Sequence, residues 1–359
     1  MAPVVAALRR LHVPTQVILT GQHHDWAMMG AFLEHFELKV DERLTLHDRS
    51  LLGSFTESLG GLGKLFSVQR PALVLAVGDT TSVIAAAYAA RKTGCAFGHV
   101  ESGLRAFSRE LPEEEHRICA DALADLLFAP TRNALENLAR ERVNGTVILT
   151  GNPVLDSLRS AQAKRPRSIG PRHGILVTIH RQETVDDPRR LGNVLAALDQ
   201  LAQLHPIEWP LHPRTRSKIT EFRLRLPERL QITEPLPYRE FLDRLAQSRL
   251  VITDSGGAQE EAAILGTPCV TVRHCTERIE TIEAGVGLLA GTETAAISHA
   301  TAEILANWGR YARCVPHLYG DGHAGEKIAQ ACIAWLKGKG PVVEPPVAKL
   351  AQQLQPVAT

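Results

Sequence analysis

No run of this chain approaches the roughly 20 consecutive apolar residues that a bilayer-spanning helix needs. The N-terminus lacks an apolar core followed by a small-residue cleavage site, so no signal peptide is expected. A net charge of +1 over 359 residues leaves no one-signed field for nucleic acid or an anionic membrane. The six cysteines (95, 119, 269, 275, 314, 332) form no CxxC pair and are expected to be reduced thiols of a cytosolic protein. Fifteen histidines are present, yet neither HExxH nor a Cys/His ligand spacing occurs, so no metal is expected. His23-His24 is read as facing solvent or substrate. The GxGxxG fingerprint and the Walker A loop are also missing, which argues against NAD and ATP chemistry.

What is present is a repeating alternation. Short apolar strands are expected at Gln16–Leu19, Ala72–Val77, Ala96–Val100, Leu126–Ala129 and Val147–Leu149. Helices are expected at residues 2–10, 25–36, 50–66, 81–92, 112–123 and 131–140. Such alternation argues for parallel sheets covered on both faces. Residues 160–173 (SAQAKRPRSIGPRH) are basic and carry two prolines, which marks a linker. The alternation then restarts at Gly174–Thr178 and runs to a helix at 325–336. The expected organisation is two Rossmann-like doubly wound α/β domains facing a cleft, over 1–165 and 166–337. A loosely ordered Pro-rich tail is expected over 338–359.

The chain is organised around GHVESGLRAFSRELPEEEHR, residues 98–117. A strand ends in Glu101, where open α/β sheets place their ligands. Pro112 then opens a helix beginning Glu113-Glu114-Glu115, and a plain helix start explains acids there. Their company adds to that reading. Asp79 ends another apolar strand, in GDTTS, so several carboxylates gather at strand ends.

The second half supplies different chemistry. Thr253-Asp254-Ser255-Gly256-Gly257 follows a strand and precedes a helix. Glycines and a helix N-terminus suit an anion, although an ordinary strand-to-helix turn has the same form. Glu260-Glu261 lies one turn further, where a carboxylate can accept two ribose hydroxyls. His180-Arg181-Gln182-Glu183 follows the strand ILVTI, and His180 suits a general acid or base or a phosphate donor.

With these residues in view, the chain resembles the non-hydrolysing UDP-N-acetylglucosamine 2-epimerases from residue 1 to about 337. The resemblance rests on TGQHH, GDTTS, GHVESGLR, LPEEEHR, TGNPVLDSL, VTIHRQE, TDSGGAQEEAAILGTPCV, TERIETIEAG and YGDGHA. All occur in family order at family-like spacing. The resemblance implies a GT-B-type fold and reversible conversion of UDP-GlcNAc to UDP-ManNAc, by UDP elimination to a 2-acetamidoglucal and re-addition. By resemblance, Asp79, Glu101, Glu113 and His180 are catalytic. Arg117, Arg181, His212, Ser255, Gly256, Gly257, Glu261 and Arg278 bind substrate. No cofactor or metal is implied. A cytoplasmic homodimer feeding ManNAc-type sugars to surface polysaccharide is expected by the same analogy.

Departures from the family pattern bear on the details. Family members open with a strand and a GTRPE-like loop before the helix continuing as APVV, and this chain begins at that helix. Met1 is therefore expected to be an internal methionine, with a damaged gene product as the alternative. Gln22, Arg181 and His212 match an allosteric UDP-GlcNAc site of some members, while Asp25 stands where those members carry Gln. His116 and Arg273-His274-Cys275 also depart from common family residues. HRQETVDD resembles branches acting on modified sugars such as UDP-2,3-diacetamido-glucuronate. A hydrolysing 2-epimerase, a GT-B glycosyltransferase and an inactive UDP-sugar-binding paralogue stay open as alternatives.

Overall fold

The computed structural model describes residues 1–21, 30, 33–48, 50–163 and 171–338, with the backbone alone for Gln162 and Ala163. The chain divides into two compact units.

The first unit opens with helix α1 (Ala2–Arg10) and strands β1 (Ile18–Leu19) and β2 (Glu42–Arg43). Helix α2 (Leu51–Gln69), strand β3 (Leu73–Val77), helix α3 (Thr81–Thr93) and strand β4 (Ala96–Val100) follow. Then come α4 (Pro112–Leu123), β5 (Leu126–Ala129), α5 (Arg132–Glu141) and β6 (Thr146–Leu149). Strands β3-β4-β5-β6 form a four-stranded parallel sheet, and β1 and β2 pair separately, also in parallel. Strand β3 is the edge of its sheet, and all five of its apolar residues are half-buried.

Successive side chains of β4 point to opposite faces. Phe97 packs into a core with Val83, Ala87, Ala120 and Leu127, whereas Val100 packs with Val4, Leu8 and Phe128. Gly98 has to be small, since a Cβ there would meet Leu75 Cδ2 at 2.6 Å.

Helix α6 (Pro153–Ala163) carries the chain across the division between the units at 156/157. The expected linker from residue 160 is therefore helical through 163, and residues 164–170 lie outside the described residues.

The second unit contains β7 (His173–Thr178), α7 (Gln182–Val185), α8 (Pro188–Ala202), β8 (Ile207–Pro210) and α9 (Pro213–Glu221). It continues with β9 (Gln231–Thr233), α10 (Tyr238–Gln247), β10 (Ser248–Thr253) and α11 (Gly256–Leu265). It ends with β11 (Cys269–Thr271), α12 (Ile279–Glu283), β12 (Gly287–Leu289), α13 (Thr294–Ala306) and α14 (Trp308–Tyr311). Its sheet is fully parallel, in the order β12-β11-β10-β7-β8-β9. That is the doubly wound order, with its switch point between β7 and β10, where such sheets bind ligands. Trp209, Leu198, Val177 and Ile252 are among the residues of its core.

After a 3-10 turn (Pro316–Tyr319), helix α15 (Ala324–Leu336) rejoins the first unit. The expectation of one continuous second domain over 166–337 gives way here. Ile328, Ala329 and Cys332 pack against Val4, Ala7 and Leu8 of α1. The two helices lie close, since a Cβ on Gly325 would meet the Pro3 carbonyl oxygen at 2.7 Å. The Asp156 carboxylate accepts the Ala324 and Gly325 N–H groups at 3.2 and 2.8 Å, satisfying donors at the start of α15.

The expected helix at 25–36 lies largely outside the described residues, of which Gly30 and residues 33–35 are helical. Of the expected tail, only Gly338 is described. No helix among the described residues is long and apolar enough to cross a membrane.

Candidate active site

In the first unit, adjacent strands deliver two acids side by side. Val77 of β3 registers with Val100 of β4, and the Gly78 N–H donates to the Val100 carbonyl at 3.1 Å. Asp79 and Glu101 therefore leave the carboxyl ends of neighbouring strands. Glu101 takes a left-handed backbone, with φ 66°. A non-glycine residue pays about 1 kcal/mol or more for that conformation, so the fold must hold it there. The Ser102 N–H donates to the Phe128 carbonyl at 3.2 Å, and the Gly103 N–H to Asp121 Oδ2 at 3.0 Å. Gly103 (φ 80°) cannot carry a Cβ, which would fall 2.3 Å from the Ala134 carbonyl oxygen.

Helix α4 completes this constellation. Glu113, Arg117 and Asp121 follow at four-residue spacing, which puts them along one side of the helix. Arg117, only 1% exposed, donates from Nη2 to Asp79 Oδ2 at 2.7 Å. His116 Nδ1 lies 2.9 Å from the Asp79 carbonyl oxygen. A carbonyl only accepts, so that nitrogen carries the proton.

The three adjacent glutamates differ in use. Glu114 is buried and accepts the Ala106 and Phe107 N–H groups, each at 2.9 Å. It ties the loop between β4 and α4 to the helix. Glu113 is half-buried and Glu115 exposed. The expectation of a plain helix start holds for the backbone of all three, while Glu114 has the separate task of loop anchor.

In the second unit, the site elements flank the switch point. Asp254 follows β10 and is fully buried. Its carboxylate accepts the His180 N–H at 3.0 Å and the Arg181 N–H at 2.9 Å, fastening the loop after β7 to the loop after β10. His180 stacks on His212, with ring centroids 5.3 Å apart. His212 caps α9, its Nδ1 accepting the Arg214 N–H at 3.1 Å, so its other nitrogen carries the ring proton. Burial pulls the His180 imidazole below its usual range. Asp254 opposes that, and Arg181 and Arg214 add to it.

Ser255 caps α11, its Oγ accepting the Ala258 N–H at 3.4 Å, and Gly256-Gly257 form the first residues of the helix. Nothing lies within 4 Å of a Cβ built on Gly257, so the helix start is open there. On the buried side, Arg273 pairs with Glu183 and Glu277, both at 2.8 Å. Arg278 pairs with Glu260 at 2.7 Å. Glu260 is thus tied to Arg278, which leaves Glu261 as the carboxylate of this helix with another partner. Glu261 hydrogen-bonds Tyr238, and burial raises its carboxyl to about 7.

The structure thus brings Asp79, Glu101, Glu113 and Arg117 together in one unit. In the other it brings together His180, Arg181, His212, Ser255, Gly256, Gly257, Glu261 and Arg278. Gln22 and Asp25 lie outside the described residues. His99, Asp121 and Glu114 were not among the expected residues. A readable signal existed for two of them. His99 is the one ionisable residue inside β4, and Asp121 continues the four-residue spacing of Glu113 and Arg117.

Two parallel α/β units, one with gathered carboxylates and one with a glycine-opened helix start, define a GT-B-type protein built for a nucleotide-linked ligand. A sequence model of the family described as UDP-N-acetylglucosamine 2-epimerase matches residues 6–333, and the chain belongs to that family. A UDP-2,3-diacetamido-2,3-dideoxy-D-glucuronate 2-epimerase of Pseudomonas aeruginosa is 36% identical over 88% of this chain and 90% of the relative. A UDP-N-acetylglucosamine 2-epimerase of Methanocaldococcus jannaschii is 33% identical over 92% and 94%. The crystal structure of the M. jannaschii UDP-GlcNAc 2-epimerase in complex with UDP-GlcNAc and UDP superposes with a TM-score of 0.85. It has 30% identity and covers 92% of this chain and 95% of that one.

Proposed function

We propose that this protein is an isomerase that interconverts UDP-GlcNAc and UDP-ManNAc. The observation that carries the reading is the delivery of Asp79 and Glu101 from adjacent strand ends, in a chain of this family. The C2 proton of the sugar is not next to a carbonyl, so a base alone removes it poorly. Departure of UDP with the C1–O electron pair creates cationic character at C1, which acidifies C2. The C2–H electrons then form the C1=C2 bond of a 2-acetamidoglucal, and a carboxylate takes the proton. Re-addition of UDP at C1 and of a proton on the opposite face of C2 completes the epimerisation. Atoms and electrons balance without a redox partner.

In this reading Asp79, Glu101 and Glu113 stabilise the cation and move the proton. Arg117 holds Asp79 in place through their ion pair. His180 and Arg181, with the Ser255-Gly256-Gly257 helix start, receive the diphosphate as its charge grows. Glu261 accepts the ribose hydroxyls, and Arg278 binds through the wall it forms with Glu260. The protein is read as a cytoplasmic homodimer.

The test is a proton NMR time course with UDP-GlcNAc in deuterated water. The expected product is UDP-ManNAc with deuterium at C2 and no stoichiometric free UDP. Free UDP in step with product would make the protein a hydrolysing epimerase instead. A second reading, a 2-epimerase of UDP-2,3-diacetamido-glucuronate, is favoured by the 36% identity to the relative of that name. Running both sugars in the same assay and comparing kcat/KM separates the two.

A further inference from the structure

A buried histidine beneath the two strand-end acids has both ring nitrogens committed. His99 is fully buried in β4, on the same face as Phe97, whose ring lies 6.2 Å from its own. Its Nδ1 is 2.6 Å from Asp121 Oδ1, and its Nε2 is 2.7 Å from the Gly78 carbonyl oxygen. A carbonyl oxygen can only accept, so Nε2 must carry a proton. Burial pushes the Asp121 pKa up, while the facing His99 and Arg105 bring it below its usual value. One proton lies between Nδ1 and Asp121 Oδ1, so the ring is bridged on both sides.

Asp121 Oδ2 accepts Arg105 Nη2 at 2.6 Å, and Arg105 in turn holds Glu141 through Nε and Nη2, each at 2.7 Å. The His99–Asp121 bridge is thus buried, hydrogen-bonded and anchored by a buried guanidinium, the condition under which buried polar groups are tolerated.

The partners of this set are the two site turns. The Gly78 carbonyl immediately precedes Asp79. Asp121 accepts the Gly103 N–H and so braces the turn in which Glu101 is left-handed. We infer that His99 is a positioning residue for the proposed reaction: bridging Asp121 and the Gly78 carbonyl, it sets the turns that carry Asp79 and Glu101. The catalytic half of this inference rests on the epimerase reading, and its structural half does not.

The test uses the full chain. Nitrogen-15 NMR of the histidine rings is expected to show a proton on His99 Nε2, the nitrogen that faces the Gly78 carbonyl. His99→Asn keeps a donor toward Asp121 and loses the one to Gly78. His99→Gln reaches Gly78 and loses Asp121. Both are expected to leave UDP affinity unchanged and to lower kcat by about 10–100-fold, as small displacements of catalytic groups do. Both are expected to speed amide exchange at Asp79 and Glu101. A bare Nε2 on wild-type His99 overturns the inference, as do variants with wild-type kcat and wild-type exchange. If the wild-type chain epimerises neither UDP-sugar, the proposed function falls instead. The nitrogen spectrum and the exchange rates then still decide the clamp, and they decide it even if one variant fails to fold.

Discussion

Arg117 reaches from the middle of α4 to Asp79, closing a 2.7 Å ion pair between a helix and the turn after an edge strand. The guanidinium is nearly fully buried, and the carboxylate is half-buried. An arginine so placed fixes where the acid points. Asp79→Asn is expected to cut turnover by about 10²-fold or more, in the range of a lost general acid or base. It should also destabilise the chain by about 1–3 kcal/mol, because the buried Arg117 loses its anion. Turnover assays with urea unfolding of the same variant check both.

Neighbouring glutamates on α4 should separate cleanly. Glu113→Gln keeps the size and shape of a half-buried side chain and is expected to lower turnover. Glu114→Ala removes the acceptor of two backbone N–H groups and is expected to cost about 1–3 kcal/mol. Amide exchange at Ala106 and Phe107 should rise in the second variant alone. Equal behaviour of the two variants would refute the division of labour.

Glu261 gives a pH dependence of defined sign. Its folded pKa of about 7 lies above the ordinary value of 4.5. The folded state therefore holds the proton more tightly than the unfolded state. The stability this lends is fully present below pH 4.5 and is lost as pH rises through about 7, a span of roughly 3 kcal/mol. Glu261→Gln should flatten that slope in urea titrations at a series of pH values.

The same residue predicts a proton released on ligand binding. Ribose hydroxyls donate to a carboxylate, so UDP binding selects the ionised form of Glu261. Calorimetry of UDP binding in buffers of different ionisation heat should show net proton release near pH 6. The release should fade above pH 8 and vanish in Glu261→Gln. Proton release unaltered by that substitution would place the ribose elsewhere.

Asp254 is expected to matter more to the second unit than its distance from any reacting atom suggests. Asp254→Asn turns a donor amide toward the His180 and Arg181 N–H groups, leaving at least one unpaired. The expected cost is about 1–3 kcal/mol, together with weaker UDP binding. Differential scanning calorimetry with and without UDP measures both.

Much of this architecture was legible because strands of parallel sheets read as continuous apolar runs, whether fully buried like LLFA or half-buried at an edge like LVLAV. The strand-end acids were legible for a related reason, since the carboxyl ends of such strands are where ligands sit. The return of α15 to α1 was not legible. Its apolar stripe says that it packs, and not that the surface lies more than 300 residues away in sequence. The unequal roles of Glu113 and Glu114 were hidden too. Adjacent helical residues point about 100° apart, and local sequence does not say which one meets the loop.

At Glu101 the demands of the backbone and of the proposed chemistry pull apart. Its left-handed backbone suits glycine better than any residue with a side chain. Glu101→Gly would thus relax the turn while removing an acid of the site. Two libraries randomised at this codon should part company. One selected for folding alone should drift toward glycine or asparagine, and one selected for turnover should retain glutamate. If both retain glutamate, the carboxylate serves the fold itself. Otherwise the identity of this single residue tells, in any descendant of this gene, whether the chemistry is still being kept.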